Sequence, residues 1–339
     1  MSTWEEPDRR AGALHREAER LATSGQWSTL LERLEAAGLD TVLQDSSLAY
    51  RYGEALYHTG RIEDLSAFAL RFEESTAPRA DGRGLLRALN LGAIAAFELG
   101  RIEEARSRSE RQLTLADAED DRDMLARATQ NLAAIAGLEG RTEDAVASFE
   151  LALSTHATLG RVRGVAQVRH NLGNCFRDLG RYDDAQDAYR DAEADFRRLD
   201  YPRGVAMATI GRAEATVLAG DTELGVGLAE RGVSAARSAG DPGHEAEALR
   251  VRARAALATG DREMRSAAAR DLAAALRLAR SAGNPLIQAE IERDAGRLRI
   301  EAGRRRRARG PLRRALARFE KLGAVAEARK LRERLESLV

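Results

Sequence analysis

Apolar residues recur with helical spacing along almost the whole chain, and glycines interrupt the pattern at even intervals. Leu172, Phe176 and Leu179 stand at positions i, i+4 and i+7, so they share one face of an α-helix. Gly180 follows, and a second amphipathic segment begins after it. This pattern predicts amphipathic helices arranged in pairs, with a glycine at the turn inside each pair.

Glycines mark two alternating turns. A glycine suits the left-handed backbone conformation that ends a helix, so two turns in each period predict two helices in each period. The turn inside the pairs recurs every 40 residues at Gly60, Gly100, Gly140, Gly180, Gly220 and Gly260, with Gly25 and Gly303 at slightly altered spacing. The turn between pairs is marked by Gly160, Gly240, Gly283 and Gly323, with Asp200 at a matching position.

The residues after these turns favour a helix N-terminus. Acidic pairs such as Glu63-Asp64 follow the first kind of turn, where the helix dipole favours negative charge. Asp241-Pro242 and Asn284-Pro285 follow the second kind, and each predicts an N-cap followed by proline in the first helical turn.

Small residues recur at two positions relative to the turn glycine. The helices of a hairpin approach closely there, and a large side chain would hold them apart. Seven residues before the glycine stand Ala18, Gly53, Ala93, Ala133, Gly173, Ala213, Ala253 and Gly296, and five residues after it stand Ala105, Ala145, Ala185, Gly225 and Ala308.

This pattern resembles the tetratricopeptide repeat, which is a helix hairpin with small and aromatic residues around a turn glycine. The residues that carry the resemblance are Leu172, Gly173, Phe176, Gly180, Tyr182, Ala185, Tyr189 and Ala192. The period exceeds the family's usual length of about 34 residues, which implies longer helices, as in the kinesin-light-chain-like subgroup. The predicted repeats cover residues 8–38, 46–75, 84–118, 122–158, 162–198, 203–239, 243–282 and 286–322.

The resemblance implies an all-α, right-handed α-solenoid of about eight hairpins that forms a single superhelical domain over residues 1–339. The amphipathic tail predicts a capping helix over residues 325–338. Two places depart from the pattern. Three extra residues before Gly283 predict a longer or shifted helix with Ala268 at its small position. Gly310-Pro311 falls in an expected helix interior, so we predict that this helix begins near Gly310, after a frayed turn over residues 304–309.

The resemblance also implies where a partner binds. In the family, the first helices of the hairpins build a concave face that binds extended peptides or partner helices. Asparagine suits a peptide backbone because it donates and accepts hydrogen bonds, although such residues also cap local backbone or meet water. Asn171 and Asn174 match positions that often hold a bound backbone or a terminal carboxylate. The predicted groove residues are Arg87, Asn90, Arg127, Gln130, Asn131, Gln167, His170, Asn171 and Asn174.

Charged residues continue this face further along the chain. They are Arg250, Arg254, Arg293 and Arg297, interleaved with Glu214, Glu247 and Glu290. One interpretation is a set of solvated i,i+4 ion pairs of small energy. The other is an arginine-lined groove that binds an acidic peptide, with Arg250 and Arg254 among its residues.

Charge is distributed unevenly along the chain, and its C-terminal end is basic. The chain has zero formal net charge and 44% hydrophobic residues, which is enough for a core. Almost all its basic residues are arginine. Because this bias covers the whole chain, a coding bias such as that of GC-rich bacteria explains it better than phosphate or carboxylate recognition does. Residues 301–339 hold 13 basic and five acidic side chains. We predict a solvated end rather than a nucleic-acid site, because no aromatic residues interleave with it.

The residue types used in catalysis are scattered. The five histidines form no metal-binding motif, and neither a phosphate-binding loop nor a nucleophile motif is present. Cys175 is the one cysteine, and we expect it to be a small packing residue. The sequence therefore predicts no enzyme, cofactor or metal site.

The polar N-terminus lacks the apolar segment of a secretory signal, and no apolar run approaches the length of a membrane span. We predict a non-catalytic, cytoplasmic bacterial adaptor or scaffold that binds a peptide or protein partner. The alternative is a peptide-sensing regulator whose superhelix changes shape on binding. Self-association through the ends of the array stays possible.

Overall fold

The chain is helical throughout the described residues. The computed structural model describes the backbone of residues 5–338 and the side chains of residues 12–261 and 263–338. No strand occurs in this part of the chain, so the all-α prediction is confirmed. The prediction that the polar N-terminus is not a secretory signal concerns residues 1–4 in part, and these lie outside the described residues.

Turns of about three residues join most of the helices into hairpins. Eight hairpins result, and a short α3 lies between the first two, where the repeat pattern did not predict it. A 3-10 turn spans Ala77–Arg79, and α18 is the predicted capping helix. The helices are α1 Glu5–Thr23, α2 Trp27–Ala37, α3 Leu39–Gln44, α4 Ser46–His58, α5 Ile62–Thr76, α6 Gly82–Glu98, α7 Ile102–Ala118, α8 Arg122–Leu138, α9 Thr142–Thr158, α10 Val162–Asp178, α11 Tyr182–Arg198, α12 Pro202–Ala219, α13 Thr222–Ser238, α14 Pro242–Ala258, α15 Arg262–Ser281, α16 Pro285–Glu301, α17 Arg305–Lys321 and α18 Val325–Glu336.

The turn glycines adopt the predicted left-handed conformation. Gly180 has φ 77°, and the last carbonyls of α10 are closed by Arg181 N donating to Phe176 O at 2.8 Å and Gly180 N donating to Arg177 O at 3.0 Å. Asp200 reaches φ 47° without being glycine, so the turn between pairs keeps its geometry there.

The predicted N-caps are confirmed. Asp241 Oδ1 accepts a hydrogen bond from His244 N at 3.0 Å, and Asn284 Oδ1 accepts one from Ile287 N at 3.0 Å. Pro242 opens α14 in the same way as proline opens α16.

The predicted start of α17 is wrong. The helix begins at Arg305 and runs through Pro311, so residues 305–309 form its first turns. Part of the clash of a helical proline is with the Cβ of the preceding residue, and Gly310 has none, which eases the helical conformation before the ring. Ala308 and Leu312 are buried beside it, so packing favours a continuous helix.

Contacts divide the chain into two units. Unit 1 comprises Met1–Phe97 and Glu103–Ala128, and unit 2 comprises Glu98–Ile102 and Thr129–Val339. The core of unit 1 contains buried leucines with Phe68 and Phe72, whereas unit 2 is built largely on buried alanines. The single superhelical domain stays a prediction.

Close helix packing in unit 2 explains the small residues. The ring of Tyr189, from α11, is fully buried between Gly173 of α10 and Gly211 of α12. A Cβ added at Gly173 would lie 2.7 Å from Tyr189 Cε1, and one added at Gly211 would lie 2.5 Å from the same atom. Any larger residue at either position would displace the ring.

Candidate functional site

Half-buried amide side chains lie on α8 and α10. Gln167 and Asn171 are four residues apart in α10, so they share a face. Gln130 and Asn131 belong to α8, and Asn131 precedes Asn171 by one period of 40 residues. We call Gln130, Asn131, Gln167 and Asn171 the amide row. All four belong to unit 2 and keep part of their surface accessible.

His170 stands within the amide row. Its Nδ1 atom is buried and has no hydrogen-bond partner among the described residues. Burial, together with the nearby charges of His244 and Arg177, lowers the pKa of His170 to about 3, so the imidazole is neutral near pH 7. A buried ring nitrogen without a partner is costly in a folded protein, so a side-chain movement on binding that gives it a ligand group as partner would be favourable.

Asn174 is engaged inside the protein. Its Oδ1 accepts a hydrogen bond from the Tyr189 hydroxyl at 2.6 Å, and its Nδ2 lies 3.4 Å from His170 Nε2. Burial raises the pKa of Tyr189, so the phenol stays protonated and donates. Asn174 therefore holds His170 and Tyr189 in place, and its predicted contact with a ligand stays a prediction.

The predicted residues of unit 1 have internal partners. Arg87 Nη1 donates to Ser47 Oγ at 2.9 Å, and buried Asn90 donates to the Tyr50 hydroxyl at 3.0 Å. Arg127 Nε donates to Asp123 Oδ2 at 3.3 Å. These contacts orient the three side chains, and their role in binding stays a prediction.

The charged face further along forms a ladder of ion pairs across successive first helices of unit 2. Glu214 of α12 accepts from Arg250 Nη1 at 2.8 Å, from Arg254 Nη1 at 2.7 Å and from Arg177 Nη1 at 3.1 Å. Arg250 is 1% exposed and also lies 3.3 Å from Asp294 Oδ2. We call the set the ion ladder, and its members are Arg177, Glu214, Arg250, Arg254, Glu290, Arg293, Asp294 and Glu327.

The ladder compensates most of the charge that it buries. Burial alone would raise the pKa of Glu214, but Arg250 and Arg177 hold it well below its usual range. Glu290 is less well compensated: burial raises its pKa despite the attraction of Arg250 and Arg293. The ladder therefore contains one carboxyl that protonates more readily than the others.

The interpretation of this face as solvated i,i+4 pairs is wrong for Arg250 and Arg254. Their partner Glu214 is 36 and 40 residues away, on the preceding first helix, and is itself buried. Arg297 does follow that interpretation, because it pairs with Glu301 one turn later in an exposed position. The sequence analysis did not include Arg177 and Asp294 in this charged face. Opposite charges about one period apart in the sequence would have indicated both.

Thiol chemistry, metal binding and membrane spans were the other features that the sequence raised. Cys175 is buried, as expected, and burial raises the pKa of its thiol to about 12. No cluster of three or more histidine, cysteine or acidic side chains among these residues could hold a metal ion. In the same part of the chain, none of the helices combines the length and apolarity needed to cross a bilayer.

Comparisons with known proteins agree with the geometry. A family model of the tetratricopeptide repeat matches residues 84–156 and 140–198. No curated protein matches the chain. A Rap protein complexed with Competence and Sporulation Factor is 13% identical, with a TM-score of 0.57 over 97% of this chain and 98% of that one.

Two further solved structures share the fold. The Rap conjugation gene regulator of the plasmid pLS20, in complex with the Phr* peptide, is 16% identical, with a TM-score of 0.62 over 84% of this chain and 77% of that one. BtubC from P. vanneervenii is 22% identical, with a TM-score of 0.50 over 65% of this chain and 91% of that one. At these identities the likeness concerns the fold, and the kinesin-light-chain-like subgroup stays a prediction. By the family model, residues 84–198 are similar to the tetratricopeptide repeat, and hairpins spaced by about 40 residues continue the same helical architecture through the other described residues.

Proposed function

We propose that the chain is a non-catalytic interaction scaffold that binds an extended peptide segment of a protein partner along the amide row. The observation that carries the proposal is His170, whose buried Nδ1 lacks a partner, set among amide side chains that keep accessible surface. An extended peptide presents N–H and C=O groups in alternation, and Asn and Gln match both kinds. The neutral imidazole supplies one further donor or acceptor.

The comparisons support this proposal by analogy. Two of the solved structures that share the fold are complexes, one with Competence and Sporulation Factor and one with the Phr* peptide. We propose the same class of ligand for this chain, held in the concave groove that the first helices form in the family. A cytoplasmic location is part of the same proposal.

Affinity capture tests the proposal. The full chain is used as bait in a lysate of its own organism, and partners are quantified by mass spectrometry for the unaltered chain and for the double variant Asn131→Ala/Asn171→Ala. We expect the double variant to lose the main partner. Gln44→Ala is the matched control, because Gln44 is an exposed amide residue of α3 that does not belong to the amide row. Equal capture of the main partner by all three proteins would show that the partner binds outside the amide row.

A peptide-sensing regulator is the second candidate, and the ion ladder favours it. Arg177 lies three residues after Asn174 on α10, and it links that helix to Glu214 on α12. A ligand that shifts α10 would therefore strain ion pairs that continue to α18. Small-angle scattering with and without the captured partner tests this candidate. A changed radius of gyration of the chain supports the regulator, and an unchanged one supports a scaffold that keeps its shape on binding.

A further inference from the structure

An open cleft lies in unit 2 between α15, α16 and α17, away from the amide row. Its volume is about 400 Å³, within the range of small-molecule and side-chain binding sites. Its apolar lining includes Ala269, Ala273, Leu276, Ala295, Leu298 and Pro311. Ala269 and Ala273 are exposed, so the apolar surface is accessible from solvent.

Both departures from the repeat pattern converge on this cleft. The extra residues make α15 20 residues long, compared with 17 in α11 and α13, and its added turn carries Arg265 at the rim. The helical start of α17 places Arg304 at the rim and Pro311 in the wall. Residues that break the period therefore line part of the cleft.

The rim of the cleft is positively charged. Arg265 and Arg299 donate to the backbone oxygens of Gly260 and Ala295, and neither forms an ion pair with a described carboxylate. The one acidic lining residue, Glu292, is fully buried, and it is paired with Arg314 at 2.8 Å and also with Arg318. Arg265, Arg299 and Arg304 thus leave an excess of positive charge around an apolar floor.

We propose that this cleft is a second docking site, for an acidic amphipathic helix of a protein partner. Ala269, Ala273 and Leu276 stand at i, i+4 and i+7, which forms a stripe of the kind that receives the apolar face of another helix. The arginines at the rim complement carboxylates that flank such a face. Nucleic acid fits the surface less well, because no aromatic side chain lines the cleft to stack a base.

The probe is a labelled designed peptide of about five helical turns, with leucines at i, i+4 and i+7 and glutamates on both flanks. Binding to the full chain is followed by fluorescence anisotropy at low salt and at physiological salt. We expect saturable binding that weakens as salt rises, because rim charges are screened. A peptide with glutamine in place of every glutamate should bind about tenfold more weakly, a loss of about 1.4 kcal/mol.

Protein variants locate the binding. Ala273→Glu introduces a carboxylate into the stripe at an exposed position, and Arg299→Glu/Arg304→Glu reverses the rim charge. We expect each to weaken the peptide about tenfold or more. The matched control Arg329→Glu changes an exposed arginine on α18 outside the cleft, and should alter binding less than about twofold.

Several outcomes would overturn the proposal. The first is that the acidic peptide shows no saturable binding. The second is that the glutamine peptide binds as tightly as the acidic one, and the third is that Ala273→Glu binds the acidic peptide as tightly as the unaltered chain does. A single-stranded oligonucleotide and vesicles of anionic phospholipid are tested in parallel. Tighter binding of either one, lost in Arg299→Glu/Arg304→Glu, would assign the surface to that ligand instead. Since Asn131→Ala/Asn171→Ala leaves the cleft intact, unaltered peptide binding by that variant separates this site from the amide row.

Discussion

At the scale of single residues, polar side chains pair with residues about one period away. Asn90 donates to Tyr50 and Arg254 donates to Glu214, each pair 40 residues apart. Such contacts join equivalent positions of neighbouring first helices. They satisfy groups that the stacking of hairpins takes out of water, and an unpaired charge there would be expensive.

Arg250 is the residue on which the ion ladder depends most. Arg250→Met would keep much of the buried volume but leave Glu214 and Asp294 short of a cationic partner. We expect a loss of about 3–5 kcal/mol in the free energy of unfolding, measured by urea denaturation. Arg332→Met, which breaks the exposed pair with Glu320, should cost at most about 1 kcal/mol. Equal costs for the two variants would contradict the buried ladder.

His170 predicts a pH dependence of stability. Its folded pKa of about 3 lies below the unfolded value of 6.5, so between these limits the unfolded chain binds the extra proton. Acidification from pH 6.5 toward pH 3 therefore destabilises the fold, by up to about 1.4 kcal/mol per pH unit from this group.

The variant His170→Phe tests that dependence, because it keeps a ring beside Tyr189 and cannot titrate. Between pH 7 and pH 5 the unaltered chain should lose more stability than the variant, in thermal or urea unfolding. Parallel pH profiles would show that His170 is not held neutral by burial.

At the scale of helices, small residues set how closely neighbours pack. Gly211→Ala forces a Cβ into the Tyr189 ring, so we expect a cost of about 1–3 kcal/mol in unfolding free energy. The cost should shrink in a Tyr189→Leu background, because the ring is then absent. Gly227→Ala is the matched control on α13, where the added Cβ meets open space, and it should stabilise by about 1 kcal/mol. Similar effects of both glycine variants would contradict the packing argument.

The sequence predicts the helices well because their ends depend on local chemistry. Gly180 ends α10, and Asp241 with Pro242 starts α14, through contacts within a few residues. The start of α17 was missed because packing of Ala308 and Leu312 outweighed the local signal of Pro311.

The candidate site was only partly predictable, because packing against neighbouring hairpins is not visible in the local sequence. The face that carries Gln167, His170 and Asn171 follows from helical spacing. Whether a side chain on that face already has a hydrogen-bond partner within the protein depends on residues of the helices packed against it, as the hydrogen bond from Tyr189 of α11 to Asn174 of α10 shows.

At the scale of the whole molecule, a repeat array has no single centre of stability. Phe319 is buried in the last core cluster, with residues of α16, α17 and α18. Phe319→Ala should cost about 3–5 kcal/mol locally, since it empties that cluster. Amide hydrogen exchange should accelerate in α16–α18 and stay unchanged in α4 and α5. Uniform acceleration over all helices would indicate one cooperative core instead.

The central claim is that a partner lies along the amide row, and site-specific photocrosslinking tests it most directly. A benzophenone amino acid is placed at Gln130 or Gln167 in the row, or at the exposed controls Leu151 and Gln44. With the captured partner present, the account predicts crosslinks from the two row positions and none from the controls. Crosslinks confined to the controls, or absent from both row positions, would contradict it.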